Sequence, residues 1–490
     1  MTDAAEFGRV VLIVAVGFAV AILSSRISGH LRVPAPALFL AAATVSSDLI
    51  PNLAPLLTIH DVERICLVAL IVILFDGGMD IGVTRFRQSL WPIVSLGVVG
   101  TFLVAGLLAV LVHVLFGPSW TTSLLIGAAL APTDPAVVFS VLGGSEVSGR
   151  SDDILKGESG VNDPVGIALV IGLLDITSNS GSSLSIAEDF ALQMAVGLAV
   201  GVLGGRALLV FMRRVALPSE GLYSLRTLAS CLMLYGIATL AHGSGFLAVF
   251  VAGIVIGDAR APYKPEIKRF HTALAGLAEI VAFAVLGLTV DLNVLGHPDV
   301  WVCGLVLAVA LTVLIRPLAV GSCLIPVRLQ RNERTFVLFA GLKGAVPILL
   351  GEFLRAAHLP DAERLYGIVV IVVVFSVLVQ GSSVPGVARL LHLPMRTVET
   401  LPWQIGVRLA DEPRGVHRFS VATGSVAERS TVEGLGERVG DIWVSIVVRA
   451  TGLVPVRGET ELEAGDEVVI LADPELHDTL AELFGPAQAR

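Results

Sequence analysis

Ala131-Pro132-Thr133-Asp134-Pro135 puts a carboxylate and two prolines inside an apolar run long enough to cross a bilayer. A charge at such a depth costs about 2.5–3.5 kcal/mol even on the lenient insertion scale. Proline removes a backbone donor and breaks a helix, which lipid tolerates only against protein or a wet cavity. The next apolar run carries Glu158-Ser159-Gly160-Val161-Asn162-Asp163-Pro164, and later runs carry Arg316-Pro317 and Gly341-Leu342-Lys343-Gly344. Left unpaired, the five groups Asp134, Glu158, Asp163, Arg316 and Lys343 would cost on the order of 15 kcal/mol. That rivals the whole stability of a domain. They must pair, neutralise or face water, and buried acid on broken backbone reads as an ion pathway.

Helical spacing divides the work. Glu158 and Asn162 stand at i,i+4 on one face, and Ser159 and Asp163 at i,i+4 on another. Arg316 cannot discharge by losing its proton, so it needs a permanent acid, and Glu158 suits it. Asp163 is left as the titrating group. The Ser159 hydroxyl and the backbone around Thr133 supply neutral oxygens suited to a monovalent cation. Asp163 can then hold a proton or a metal cation but not both, which is antiport in its simplest form. Asp134, beside two prolines, either joins the cation site or caps a half-helix. Lys343 either offsets negative helix ends or gates the ion. Asp76 is either a vestibule acid or an ordinary loop residue. Glu279 and Glu352 read as interfacial, and His242 as a loop residue.

The rest of the chain must hold these residues in a membrane. It is 54% hydrophobic and 15% charged, with mean hydropathy +0.84. A soluble protein carries nearer a quarter charged residues. Apolar runs mark spans near 9–25, 33–50, 63–80, 90–116, 119–142, 157–177, 187–212, 222–241, 245–258, 271–290, 299–327, 334–356 and 365–393. Numbered in order, the odd loops hold Arg26 and Arg32; Arg85 and Arg87; Arg150 and Lys156; Arg213 and Arg214; Arg260, Lys264, Lys268 and Arg269; Arg328, Arg331 and Arg334. The even loops are almost bare of Lys and Arg, apart from Arg355 and Arg364 in the last. The positive-inside rule then puts the odd loops and the C-terminus in the cytoplasm and the N-terminus outside. The expectation is an all-α polytopic protein of the cell membrane, with about 13 transmembrane helices in two inverted repeats. Its fifth and twelfth helices, interrupted at matching places, cross at the binding site.

Residues 1–393 form the expected transmembrane exchanger domain and 394–415 a linker. Residues 416–490 form a small cytoplasmic α+β domain, with strands at His417–Ala422, Ile442–Ala450, Gly452–Val456 and Glu467–Ala472 and a closing helix at Pro474–Phe484. From Pro402 onward the chain holds 15 acids against 8 Arg, so −7 of the net charge of −9 lies in the tail. No basic patch suggests nucleic acid. Cys66, Cys231, Cys303 and Cys323 sit in apolar runs without metal-ligand spacing and read as small core residues. No nucleophile–base pair or metal cluster argues for an enzyme, and no cofactor is expected.

Thr133-Asp134-Pro135, Gly157-Glu158-Ser159 with Asn162-Asp163, Arg316-Pro317 and Gly341-Leu342-Lys343-Gly344-Ala345 resemble the monovalent cation:proton antiporter-1 family, the NhaP-type exchangers. The resemblance implies that Asp163 carries the ion, that Ser159 and Thr133 help bind it, and that Glu158 pairs with Arg316. It implies thirteen helices, a homodimer, and electroneutral exchange, because Asn162 stands where electrogenic relatives have a second Asp. Lys343 stands where the family usually has Arg, and Pro164 where many members have Gly. Phe75-Asp76-Gly77-Gly78 resembles the cell-volume-regulation subgroup, which implies potassium ahead of sodium. Residues 416–485 resemble the TrkA-C (RCK-C) domain, which implies a small regulatory ligand, a nucleotide among the candidates. The competing class is a ligand-gated cation channel controlled by that tail, but no filter-like loop is visible.

Overall fold

The computed structural model describes residues 34–49, 58–142, 145–147, 150–178, 183–357, 359, 361–397, 415–440, 442–450 and 452–485. The span expected at 9–25, with Arg26 and Arg32, and most of the linker expected at 394–415 lie outside the described residues. The chain divides into two compact units, Met1–Thr400 and Leu401–Arg490.

The first unit is helical. Its longer helices are α1 (Ala35–Leu49), α2 (Ile59–Gln88), α3 (Leu90–Phe116), α4 (Trp120–Leu130), α5 (Pro135–Leu142), α6 (Arg150–Ser178) and α7 (Ser183–Arg214). They continue with α8 (Glu220–Leu240), α9 (Gly245–Gly257), α10 (Lys264–Leu288), α11 (Pro298–Leu324), α12 (Arg331–Phe339), α13 (Ala345–Ala356) and α14 (Ala362–Leu390). Among the described residues six helices are long and apolar enough to cross a membrane: α2, α3, Ala187–Arg214 of α7, α10, α11 and α14. A two-stranded antiparallel ladder joins β1 (Ser145–Val147) to β2 (Met395–Thr397).

Local chemistry sets the ends. Thr58 and Asp61 form a capping box that starts α2. The Ser119 and Ser244 hydroxyls cap α4 and α9 by accepting from the Thr122 and Leu247 N–H groups. The run expected at 119–142 is split by its prolines into α4 and α5. The run expected at 334–356 is split at 340–344 into α12 and α13. The helix expected at 157–177 starts earlier, at Arg150, and stays helical through Pro164. Packing against α3, α4 and α9 holds α6 as one element despite the proline. Helices α2 and α9 approach closely because Gly78 and Gly253 face each other. A Cβ on Gly78 would lie 2.3 Å from the Phe250 carbonyl oxygen.

The second unit is a four-stranded antiparallel sheet of β3 (Val416–Ser420), β4 (Trp443–Arg449), β5 (Gly452–Val454) and β6 (Glu467–Leu471), in the order β3-β6-β4-β5. Val468 and Ile470 of β6 are fully buried with Val447, Leu435, Leu480 and Phe484. Alternate residues thus fill the core. Helix α16 (His477–Phe484) covers this core together with α15 (Val432–Val439), a helix absent from the expected elements. Gly434 and Gly436 give α15 poor intrinsic helicity; the Thr431 cap and burial of Leu435 supply it instead. Arg449 pairs with Asp466 through two hydrogen bonds of 2.9 Å. Burial pushes the Asp466 carboxyl up, but Arg449 and the Glu463 N–H outweigh it and hold the group below its ordinary value of 3.8.

Candidate functional site

Two broken helices meet at the centre of the first unit. The chain leaves α4 at Leu130 and re-enters a helix at Pro135; it leaves α12 at Phe339 and re-enters at Ala345. The Asp134 N–H donates to the Leu342 carbonyl at 2.8 Å, so the two breaks touch. Four helix ends then point into the same small volume, each with exposed backbone groups and a partial charge.

The side chains match those ends by sign. Lys343 is 1% exposed, and its Nζ donates to the carbonyls of Ala131 at 2.9 Å and Pro132 at 2.8 Å, the negative end of α4. Arg316 donates from Nε to the Leu338 carbonyl at 3.0 Å and from Nη2 to the Val337 carbonyl at 3.1 Å, the negative end of α12. Asp134 Oδ1 accepts the Ala136 N–H at 2.8 Å and so caps the positive end of α5. A Cβ on Gly344 would lie 1.9 Å from Asp134 Oδ2, so the same carboxylate also abuts the start of α13. Both C-terminal ends thus hold a cation, and Asp134 sits between both N-terminal ends.

The two faces of α6 separate in the structure. Glu158 receives Arg316 Nη1 at 2.9 Å and Nη2 at 3.0 Å, a buried bidentate pair. Asn162 donates from Nδ2 to Thr133 Oγ1 at 2.7 Å, and its Oδ1 accepts the Thr133 N–H at 3.4 Å. Ser159 and Asp163 are 6% and 5% exposed. Asp163 Oδ1 has no hydrogen-bond partner among the described residues. A buried polar atom without a partner is costly. Of these five ionisable groups, Asp163 alone has a buried side-chain atom with no hydrogen-bond partner among the described residues.

Three short π-helical turns, which sequence spacing did not reveal, surround this arrangement. They are Ser95–Gly100 in α3, Leu311–Ile315 just before Arg316, and Ser376–Gly381 in α14. Such bulges often mark functional positions. The third turn works as a brace: the Lys343 N–H donates to Ser376 Oγ at 2.9 Å, and Gln380 Nε2 donates to the Phe339 carbonyl. Ser376 and Gln380 stand out as polar residues at i,i+4 in a valine-rich run, and that is the signal that could have found them.

The remaining candidates lie apart. Asp76 lies within α2, not in a loop, and accepts from Thr272 Oγ1 of α10 at 3.0 Å. One turn on, Asp80 bridges Lys156 of α6 at 2.7 Å and Lys268 of α10 at 3.0 Å. The interfacial reading of Glu352 is corrected: it is fully buried, paired at 2.9 Å with Arg355, and Arg355 is the residue that reaches an adjoining cavity of about 300 Å³. Glu279 is half-buried, and its Oε1 has no hydrogen-bond partner among the described residues. His242 occupies an exposed turn with φ +57°.

The family match falls within the first unit, while the NhaP2 match extends over nearly the whole chain. The transmembrane sodium/hydrogen exchanger family matches residues 15–390. The K(+)/H(+) antiporter NhaP2 of Shewanella oneidensis is 33% identical over 504 residues, covering 99% of this chain and 85% of that protein. The K(+)/H(+) antiporter NhaP of Alkalimonas amylolytica is 35% identical over 395 residues, covering 78% of this chain and 67% of that protein. The fold is shared with a solved sodium proton antiporter, MjNhaP1 of Methanocaldococcus jannaschii. The TM-score is 0.66 at 21% identity, over 77% of this chain and all of that one.

Proposed function

We propose that this chain, which belongs to the sodium/hydrogen exchanger family, is a multi-pass membrane antiporter that exchanges a monovalent cation for protons at Asp163. The unpartnered Oδ1 of a buried Asp163 carries this reading. Glu158 and Arg316 match each other, Lys343 is matched by backbone carbonyls, and Asp134 accepts an N–H. Asp163 has only its cargo to complete it. A proton satisfies it by neutralising the charge. An alkali cation satisfies it by binding the carboxylate together with the Ser159 and Thr133 oxygens. The two states exclude each other, so each cation carried one way returns a proton the other way.

Several finer statements belong to the same proposal. Potassium is the favoured cation, on the names carried by the NhaP relatives. Exchange is electroneutral, because Asn162 spends its amide on Thr133 and brings no second charge beside Asp163. Thirteen spans in two inverted halves and a cytoplasmic C-terminus fit the loop charges and the paired helix breaks, and the resemblance to NhaP-type exchangers supports a homodimer. The tail, on its strand pattern, acts as an RCK-C-like regulatory domain that binds a small ligand.

Purified protein in liposomes, with a pH-sensitive dye trapped inside, tests the reading. Potassium or sodium outside should drive proton release by the native chain and none by Asp163→Asn.

A further inference from the structure

Helix α10 carries a polar stripe through apolar surroundings. Lys268, Thr272 and Glu279 follow at i, i+4 and i+11, spacings that keep them on one side of the helix. At 1.5 Å rise per residue they span about 16 Å. The stripe is paired at its outer end and unpaired at its inner end. Lys268 is 47% exposed at its side chain and bonded to Asp80. Thr272 is bonded to Asp76. Glu279, furthest in, has a buried Oε1 with no partner among the described residues. Helix α10 packs against α2, which supplies Asp76 and Asp80, and against α13, which begins at the helix crossing. The Glu279 carboxyl lies within electrostatic reach of Asp134, and Asp134 within reach of Asp163.

We propose that Glu279 is a transient station for the transported cation, on a path that runs along the Asp80–Asp76–Thr272 face of α2 and α10 to Asp163. The inference rests on the antiport reading and adds a residue to it. Among the described residues, Asp163 and Glu279 each have a buried carboxylate oxygen with no hydrogen-bond partner. An unmatched buried carboxylate attracts a cation, and one on a helix packed against α13, which begins at the crossing, raises the local cation concentration there. The cation rests at Glu279, exchanges its remaining water for the oxygens at Asp163, and leaves Glu279 vacant for the next ion. No covalent step is involved.

The test is the cation dependence of dye-reported proton exchange in liposomes, with potassium chloride and sodium chloride titrated separately. Glu279→Gln keeps size and hydrogen bonding but removes the charge. The half-saturating cation concentration should rise about tenfold, the scale of one lost charge-assisted contact, with the maximal rate largely kept. Glu279→Asp should fall between Glu279→Gln and the native chain. A merely structural acid would lower folded yield and maximal rate and leave half-saturation unmoved. If Glu279→Gln does not fold, Glu279→Asp decides alone, since its shorter reach must still weaken apparent affinity. Unchanged half-saturation in the folded variants overturns the inference while the native chain still exchanges. Absence of exchange by the native chain would instead overturn the antiport reading itself.

Discussion

Arg316 grips Glu158 through two parallel hydrogen bonds, at 2.9 and 3.0 Å, with both side chains less than 5% exposed. Its other donors close the carbonyl end of α12. The pair therefore ties α11, α6 and the broken helix together. Glu158→Ala strands the guanidinium and should cost about 3–5 kcal/mol. The check is folded yield on size exclusion and the thermal unfolding midpoint. Replacing both residues together, Glu158→Leu with Arg316→Met, should recover part of the loss, because no uncompensated charge remains.

Gly344 is required by contact rather than by backbone angle. Its φ is −114°, but a Cβ would sit 1.9 Å from Asp134 Oδ2. Gly344→Ala must push the two breaks apart, and exchange activity should fall steeply. Gly106→Ala is the control, since nothing lies within 4 Å of a Cβ there. That change should leave exchange intact and raise stability by about 0.5–1 kcal/mol. Equal effects of the two substitutions in flux and thermal-shift assays would refute the contact argument.

Lys343 contributes through two carbonyls. Lys343→Met leaves the Ala131 and Pro132 oxygens facing each other without a donor, and should cost about 1.5–3 kcal/mol for each charge-assisted bond lost. Lys343→Arg keeps the positive charge and its donors. It should retain exchange where Lys343→Met loses it, measured as proton flux per folded protein.

The tail should show its own acid sensitivity. Asp466 titrates below 3.8 in the folded domain, since the Arg449 and Glu463 N–H contacts outweigh burial. A depressed carboxyl contributes stability that is complete above the unfolded value. That stability is lost as pH falls from about 3.8 through the folded value. Asp466→Asn should therefore destabilise the sheet at neutral pH and matter little in strong acid. Hydrogen exchange of the Glu467–Leu471 amides in the full chain, native against Asp466→Asn, reads this difference at each pH.

The sequence exposed the parts of this molecule that rest on single residues. Pro132 and Pro135 announce the first break, because proline forbids the bond that would continue the helix. The Glu158, Ser159, Asn162 and Asp163 spacing separates two faces without any coordinates. The second break was legible through its glycines, but not its crossing partner, since Asp134 N–H to Leu342 O is a contact across sequence. The same holds for the burial of Glu352 and of Glu279 Oε1, where hydropathy gives no sign of which helix packs against an acid. Pro164 lies inside the helix expected at 157–177, and packing around α6 keeps the backbone helical there despite the missing donor. Helix α15 was hidden by two glycines whose cost is met only in the folded domain.

The central claim is that Asp163 alternates between a proton and a cation. The direct measurement is potassium- and sodium-driven proton release from liposomes containing equal amounts of folded native chain or Asp163→Asn. The account predicts robust release from the first and background release from the second, with thermal unfolding of the variant close to native. Exchange at the native rate by Asp163→Asn would contradict it.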